Sequence, residues 1–220
     1  MGETTDYTNS IYLEQGDYSV ITPEIHEIAD GIKGAGIEYL ENLNILMQKN
    51  RRIVRGNVDR YQRDTKTILF DENGDLKREK DGKIEIGGCT ESARVFRTFC
   101  LAKNIPTRLV ETISKDWIKN RDLRNKKDYI GHVFPEVFID DKWYVIEHMV
   151  ESVPDRMNKS WIGQRDGNKI QLGGGEEYKI VSWGIDHTDM ITPEGDFVNF
   201  KTEKDYNDFV DKRYPIDERN

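Results

Sequence analysis

Cysteine is scarce in this 220-residue chain, with only two, Cys89 and Cys100. They fall on what reads as one helix, roughly 16 Å apart at about 1.5 Å per residue, too far for a disulfide. A disulfide-stapled scaffold is excluded, and two free thiols mildly favour a reducing compartment. Long apolar runs are missing as well. No stretch approaches the ~20 residues needed to span a bilayer, and the first residues lack the basic-then-apolar layout of a signal peptide. A cytoplasmic setting is expected, although a secreted chain whose signal had been removed would read the same. Positive charge is in deficit: 33 Lys and Arg against 41 Asp and Glu leave a net charge of -8. Nucleic acid and anionic membrane are therefore not expected as partners, and a cationic or neutral substrate is easier to accommodate. Gly173, Gly174 and Gly175 are not followed by Gly-Lys-Ser/Thr, so they read as a flexible hinge and not a phosphate loop. Cys89, Cys100 and His132 lack the close ligand pairs of a zinc site, so neither metal nor cofactor is expected. There are no internal repeats. At this length the expectation is one domain over residues 22–220, preceded by an arm of residues 1–21 with at most one short strand.

What is present is concentrated in residues 87–113, GGCTESARVFRTFCLAKNIPTRLVETI. Cys89 follows two glycines and opens a helical run, where unpaired backbone N–H groups and the helix dipole favour a thiolate over a thiol. The glycines, Gly88 in particular, let a backbone or a substrate come close. Ala93, Phe96 and Cys100 continue the helical spacing, with Phe99 and Ala102 widening the stripe, so the face carrying Cys89 is turned to the core. Asn104 and Pro106 end the helix, and a strand over residues 107–113 should follow. Cys100 reads as a buried small hydrophobe.

Residues 130–139 and 142–149 read as two strands joined by the two-residue turn Asp140-Asp141. With Ile139 opposite Lys142, Phe138 pairs with Trp143, Glu136 with Val145 and Phe134 with Glu147. Alternation then puts His132 and Glu147 on one face as diagonal neighbours, their Cα atoms roughly 7–8 Å apart, and sends His148 to the other face. A thiol, an imidazole and a carboxylate at Cys89, His132 and Glu147 suit nucleophilic acyl transfer: the imidazole activates the thiol and the carboxylate orients the imidazole. Phe134, Trp143 and Trp183 read as core aromatics, while an aromatic wall beside the thiol would also hold an acyl substrate. Gly88, Phe134 and Trp143 are thus the candidate substrate contacts. The oxyanion would be held by the Cys89 N–H and a side-chain donor, for which Gln62 and Tyr61 are candidates.

The segment from Gly87 through Ile105-Pro106-Thr107-Arg108, followed by His132-Val133-Phe134-Pro135-Glu136-Val137, resembles the transglutaminase-like superfamily, a branch of the papain-like cysteine hydrolases. In that family a Gly-Cys opens a helix ending in an Ile-Pro-x-Arg strand, and the histidine lies in a later His-x-aromatic-x-Glu-Val strand. The resemblance covers residues 87–147 well and implies an α+β fold, a papain-like core with the nucleophile helix packed on an antiparallel sheet and helices N-terminal to it. It also implies a thiol hydrolase or acyltransferase working through a thioester on a protein or peptide amide, without a cofactor. The family carries an aspartate where Glu147 stands, usually before a small polar residue or proline, and here Ile146-Glu147-His148-Met149 departs from that pattern. The reading from another class is a transglutaminase-like domain without activity that serves protein interaction.

The flanks are plainer. Thr22-Pro23 opens a helix carrying Ile25, Ile28, Ala29 and Ile32, and a second helix over residues 37–49 is expected to bury Leu40, Leu43, Ile45 or Leu46, and Met47. The basic run 49–55 reads as a solvated helix end. The charged loop 71–82 leads to Cys89 and is expected to wall the site, and a second polar loop covers residues 119–128. Residues 150–176 read as polar, with the glycine hinge at their end. A strand over residues 179–186 and a helix opened by Thr202 and Asp205, carrying Tyr206, Phe209 and Val210, complete the chain.

Overall fold

The computed structural model describes residues 10–54, 63–119, 131–149, 161–171 and 177–214. Ser10–Leu13 form a single 3-10 turn where the arm was expected to hold at most a strand. Two helices follow, α1 (Pro23–Gly31) and α2 (Gly36–Asn50). Thr22 caps the first through its hydroxyl, which accepts the Ile25 N–H, as the Thr-Pro pair requires. Then come β1 (Arg51–Ile53), α3 (Thr65–Leu69) and β2 (Ile84–Ile86), with β1 and β2 pairing in parallel. The nucleophile helix is α4 (Gly88–Ala102). It is followed by β3 (Thr107–Ser114), α5 (Lys115–Lys119), β4 (Gly131–Ile139) and β5 (Lys142–Ile146). The chain continues with β6 (Ile162–Asp166), β7 (Lys169–Gln171), β8 (Glu177–Gly184), β9 (Met190–Ile191), β10 (Phe197–Val198) and α6 (Glu203–Arg213). Thr202 and Asp205 close a capping box on α6.

The fold is α+β: helices pack against a large antiparallel sheet, and α4 lies on β3 and β4. The sheet runs β10-β9-β8-β3-β4-β5-β6-β7, and β7 returns to pair with β8, so β3 to β8 close on themselves as a six-stranded barrel. Val110, Phe134, Val145, Ile170, Tyr178 and Ile180 fill its interior. A second core lies outside the barrel, where α1, α2 and α4 bury Ile25, Leu40, Leu43, Phe96 and Cys100 against Val137 and Ile146. Each such side chain, taken out of water, contributes about 1.5–3 kcal/mol. No helix among the described residues is long and apolar enough to cross a membrane.

Asp140 and Asp141 both have positive φ, 50° and 59°, the conformation a two-residue hairpin turn demands. The register follows: Ile139 opposite Lys142, Phe138 opposite Trp143 and Glu136 opposite Val145.

Four expectations are corrected. The helix α4 is buried on every side and not on one stripe, because its polar residues reach backbone partners: Arg97 donates to the Thr107 and Glu14 carbonyls at 2.9 and 2.7 Å. Residues 10–21 thereby cover α4, with Tyr18 under the Arg94 guanidinium and the Ser19 hydroxyl bonded to Asp186. Residues 51–53 are a strand, and Arg51 is buried where a solvated helix end was expected. The charged loop 71–82 folds back on α3, where Lys77 bonds the Leu69 and Thr67 carbonyls, and does not wall the thiol. Finally, residues 162–166 and 169–171 supply two barrel strands inside a stretch read only as polar with a hinge at its end. Residues 150–160 and 172–176, which include Gly173, Gly174 and Gly175, lie outside the described residues, as does nearly all of the loop at 119–128.

Candidate active site

Gly88 is the first residue of α4 and has φ +82°, a left-handed conformation that a side chain would strain. Its neighbour Gly87 leaves room for Glu91: a Cβ at Gly87 would meet the Glu91 carboxylate at 2.9 Å. That carboxylate accepts the Gly87 N–H at 2.5 Å and is gripped by both prongs of the Arg63 guanidinium. A buried acid is thus satisfied by a charged fork and a backbone donor, and it fixes the turn that presents Cys89.

The Cys89 thiol is half-buried, and the His132 imidazole is the neighbour that most favours its thiolate. The other side of the same ring meets Glu147, with Nε2 3.2 Å from Oε1, so Nδ1 is the nitrogen left for the thiol. Glu147 also accepts the Met149 N–H at 2.8 Å. Burial pushes the Cys89 thiol up, but the hydrogen bond and positive charge of His132, with help from the Val133 N–H, bring it below its ordinary value. Burial works against a charged His132 too, yet the thiol and the carboxylate on either side raise it to about 10. Glu147, despite its own burial, is drawn down to about 2 by His132. Cys100 is buried, and its thiol is pushed up to about 12.

His148, which strand alternation sends away from Glu147, does not leave the site. Its Nε2 donates to the Cys89 carbonyl at 3.1 Å, and its ring stacks on His132 with centroids 5.6 Å apart and planes 10° from parallel. The two faces of β5 converge here because the first turn of α4 sits at the end of that strand. Arg51 donates to the His148 carbonyl and to Ser92 Oγ of α4, tying the strand end to the helix. Burial holds the His148 imidazole down to about 3, so it is neutral at pH 7. Behind the thiol, buried Glu111 of β3 lies 2.8 Å from His187 Nδ1. Burial raises Glu111 to about 8 and lowers His187 to about 3, so the pair carries no net charge at pH 7.

Of the candidate substrate contacts, Gly88 stays at the thiol. Phe134 is fully buried inside the barrel, edge-on to His132 with centroids 4.3 Å apart; it backs the imidazole and offers no surface. Trp143 is not at the thiol: it pairs with Phe138, six residues along β4 from His132 and so roughly 20 Å away, and stacks on Arg108. Tyr61 and Gln62 lie outside the described residues. His148, Arg51, Glu91 and Arg63 were not singled out from sequence. Glu91 in the first helical turn had a visible signal, an acid where the dipole favours one. The other three are set by contacts 28 or more residues away in the chain, at which no local pattern hints.

No curated protein matches the chain. Among solved structures, a candidate cysteine protease from Cytophaga hutchinsonii superposes with a TM-score of 0.48 at 12% identity, over 80% of this chain and 46% of that one. The chain therefore spans less than half the length of that protein. The family model of the transglutaminase-like superfamily matches residues 48–148, from the end of α2 to His148 and including Cys89, His132 and Glu147, and the chain carries a transglutaminase-like superfamily domain over that span.

Proposed function

We propose that this chain is a cysteine-dependent acyltransferase or hydrolase acting on an amide of a peptide or protein. The observation that carries the reading is the single imidazole of His132 held between the Cys89 thiol and the Glu147 carboxylate. The Cys89 thiolate adds to the amide carbonyl, and the tetrahedral oxyanion falls to the Cys89 N–H at the start of the fifteen-residue helix α4. His132, carrying the proton, passes it to the departing amine, which leaves a thioester on Cys89. Water or an amine, deprotonated by neutral His132, then attacks the thioester and releases the thiolate. Glu147 fixes the ring orientation through Nε2 and compensates the imidazolium charge. Its carboxylate reaches His132 from a position where the family's aspartate has one methylene fewer.

The first test is chemical. During brief iodoacetamide exposure at pH 7, Cys89 is expected to alkylate at least ten times faster than Cys100, read by peptide mass spectrometry, since only Cys89 has a stabilised and reachable thiolate. Equal rates in the folded protein would remove the nucleophile from the reading. A second expectation concerns the carboxylate: Glu147→Gln should fold normally and slow Cys89 alkylation at pH 7 about tenfold, within the range for loss of an orienting partner. Unchanged reactivity in that variant would leave Glu147 without a role.

A further inference from the structure

We infer that His132, Glu147 and His148 form a binding site for a divalent transition metal of the zinc class. One ligand atom from each of the three lies within 4.8 Å of the other two. Zinc holds nitrogen and oxygen donors at about 2.0–2.2 Å, which sets tetrahedral ligands about 3.3 Å apart. The His132–Glu147 pair already stands at 3.2 Å, so only the His148 ring has to close in.

His148 itself carries an independent feature that calls for a ligand. His148 is fully buried, its Nε2 proton is committed to the Cys89 carbonyl, and its Nδ1 has no hydrogen-bond partner. With the tautomer fixed in this way, Nδ1 carries a bare lone pair in the protein interior, a costly arrangement that a metal ion would satisfy. The Nε2–H to carbonyl contact is also the outer-shell bond that orients a ligating histidine. Two imidazoles and one carboxylate suit zinc and its neighbours, and a water completes the coordination. On binding, the ion replaces the proton on His132 Nε2, which leaves to solvent, and Glu147 turns from hydrogen-bond acceptor to ligand. No electron changes hands.

The site shares two residues with the proposed triad but none of its chemistry, so binding is measured without turnover. The full chain would be titrated with Zn²⁺ in competition with a chromophoric chelator. One ion per chain is expected, with affinity at least tenfold weaker in His148→Ala and in Glu147→Gln and within threefold of wild type in Cys89→Ser. Absence of stoichiometric binding, or wild-type affinity in His148→Ala, would overturn the site. So would loss of binding in Cys89→Ser, which would hand the metal to the thiolate. Should His148→Ala fail to fold, wild-type protein loaded with Co²⁺ decides: tetrahedral visible bands without sulfur-to-metal charge transfer support the ligand set, and a sulfur band or an octahedral spectrum overturns it. A protein that binds Zn²⁺ as described but alkylates Cys89 and Cys100 equally would keep this site and lose the proposed catalysis.

Discussion

Replacing His132 by alanine is expected to slow alkylation of Cys89 at pH 7 by about tenfold or more and to move its pH profile upward. In the intact protein the thiol is held below its ordinary 9.0 and His132 is raised to about 10, so across the interval between them the pair exists as thiolate and imidazolium. The reactive form is then more populated near neutrality than on an ordinary cysteine. Raising the pH through about 10 discharges the imidazole but adds little thiolate; lowering it reduces the rate only once the thiolate itself takes up a proton. Without His132 the influences that remain on Cys89 are burial and the Glu111 carboxyl, both of which raise it, against one N–H from Val133. A thiol at or above 9 is about 1% ionised or less at pH 7, hence the expected fall, and the rate should recover toward pH 10. Alkylation rates across pH 5–10 for both proteins, with circular dichroism as a control for folding, make the measurement. An unchanged midpoint would mean that the thiolate owes nothing to the imidazole. Amide turnover should suffer more, by roughly 10⁴-fold or beyond, because members of a nucleophile–base unit fail together.

How far the sequence could lead toward this site depends on which contacts are local. Asp140-Asp141 dictates a tight turn, and a tight turn dictates register, so the approach of Glu147 to His132 follows from counting alternate residues. The counted ladder in fact stops at Val145, and the Glu147 N–H bonds the Trp161 carbonyl; the carboxylate reaches His132 by its own length. The same counting misjudged His148. Alternation describes the faces of a strand, but at its end both faces meet the first turn of α4, and that meeting depends on how helix and barrel are packed. Trp143 failed for a related reason. An aromatic on the hairpin looked close to the thiol, yet the barrel separates its two ends by most of a strand. Barrel closure itself was illegible, since β6 carries Gln164, Arg165 and Asp166 without apolar alternation and is held by pairing with residues far along the chain.

Arg108→Ala is expected to destabilise the fold by about 3–5 kcal/mol, the largest single loss anticipated for a side chain outside the candidate site. Arg108 and Glu136 face each other across β3 and β4, with Nε and Nη2 both 2.7 Å from the carboxylate and both side chains almost wholly out of water. The guanidinium lies 4.2 Å from the Trp143 ring and 5.3 Å from that of Tyr12, so the 3-10 turn at Ser10–Leu13 and the hairpin both stack on it at the barrel end away from His132. Alanine would strand the Glu136 carboxylate in an apolar setting and leave a void between two rings. Arg108→Lys keeps the charge but loses the bidentate grip and the flat stacking surface, so it should fall between wild type and alanine. Replacing both partners, Arg108→Met with Glu136→Leu, should restore much of the loss, because the penalty comes from the orphaned charge and not from the missing attraction. Urea unfolding of the three variants gives the comparison, and for a chain of this size the alanine variant should melt roughly 10 °C lower. Below its melting range it should still alkylate Cys89 at the wild-type rate, since the reacting groups stand at the other end of the barrel. Should the double replacement prove as unstable as alanine alone, the barrel end would depend on the ion pair itself, and the orphaned-charge account would be wrong.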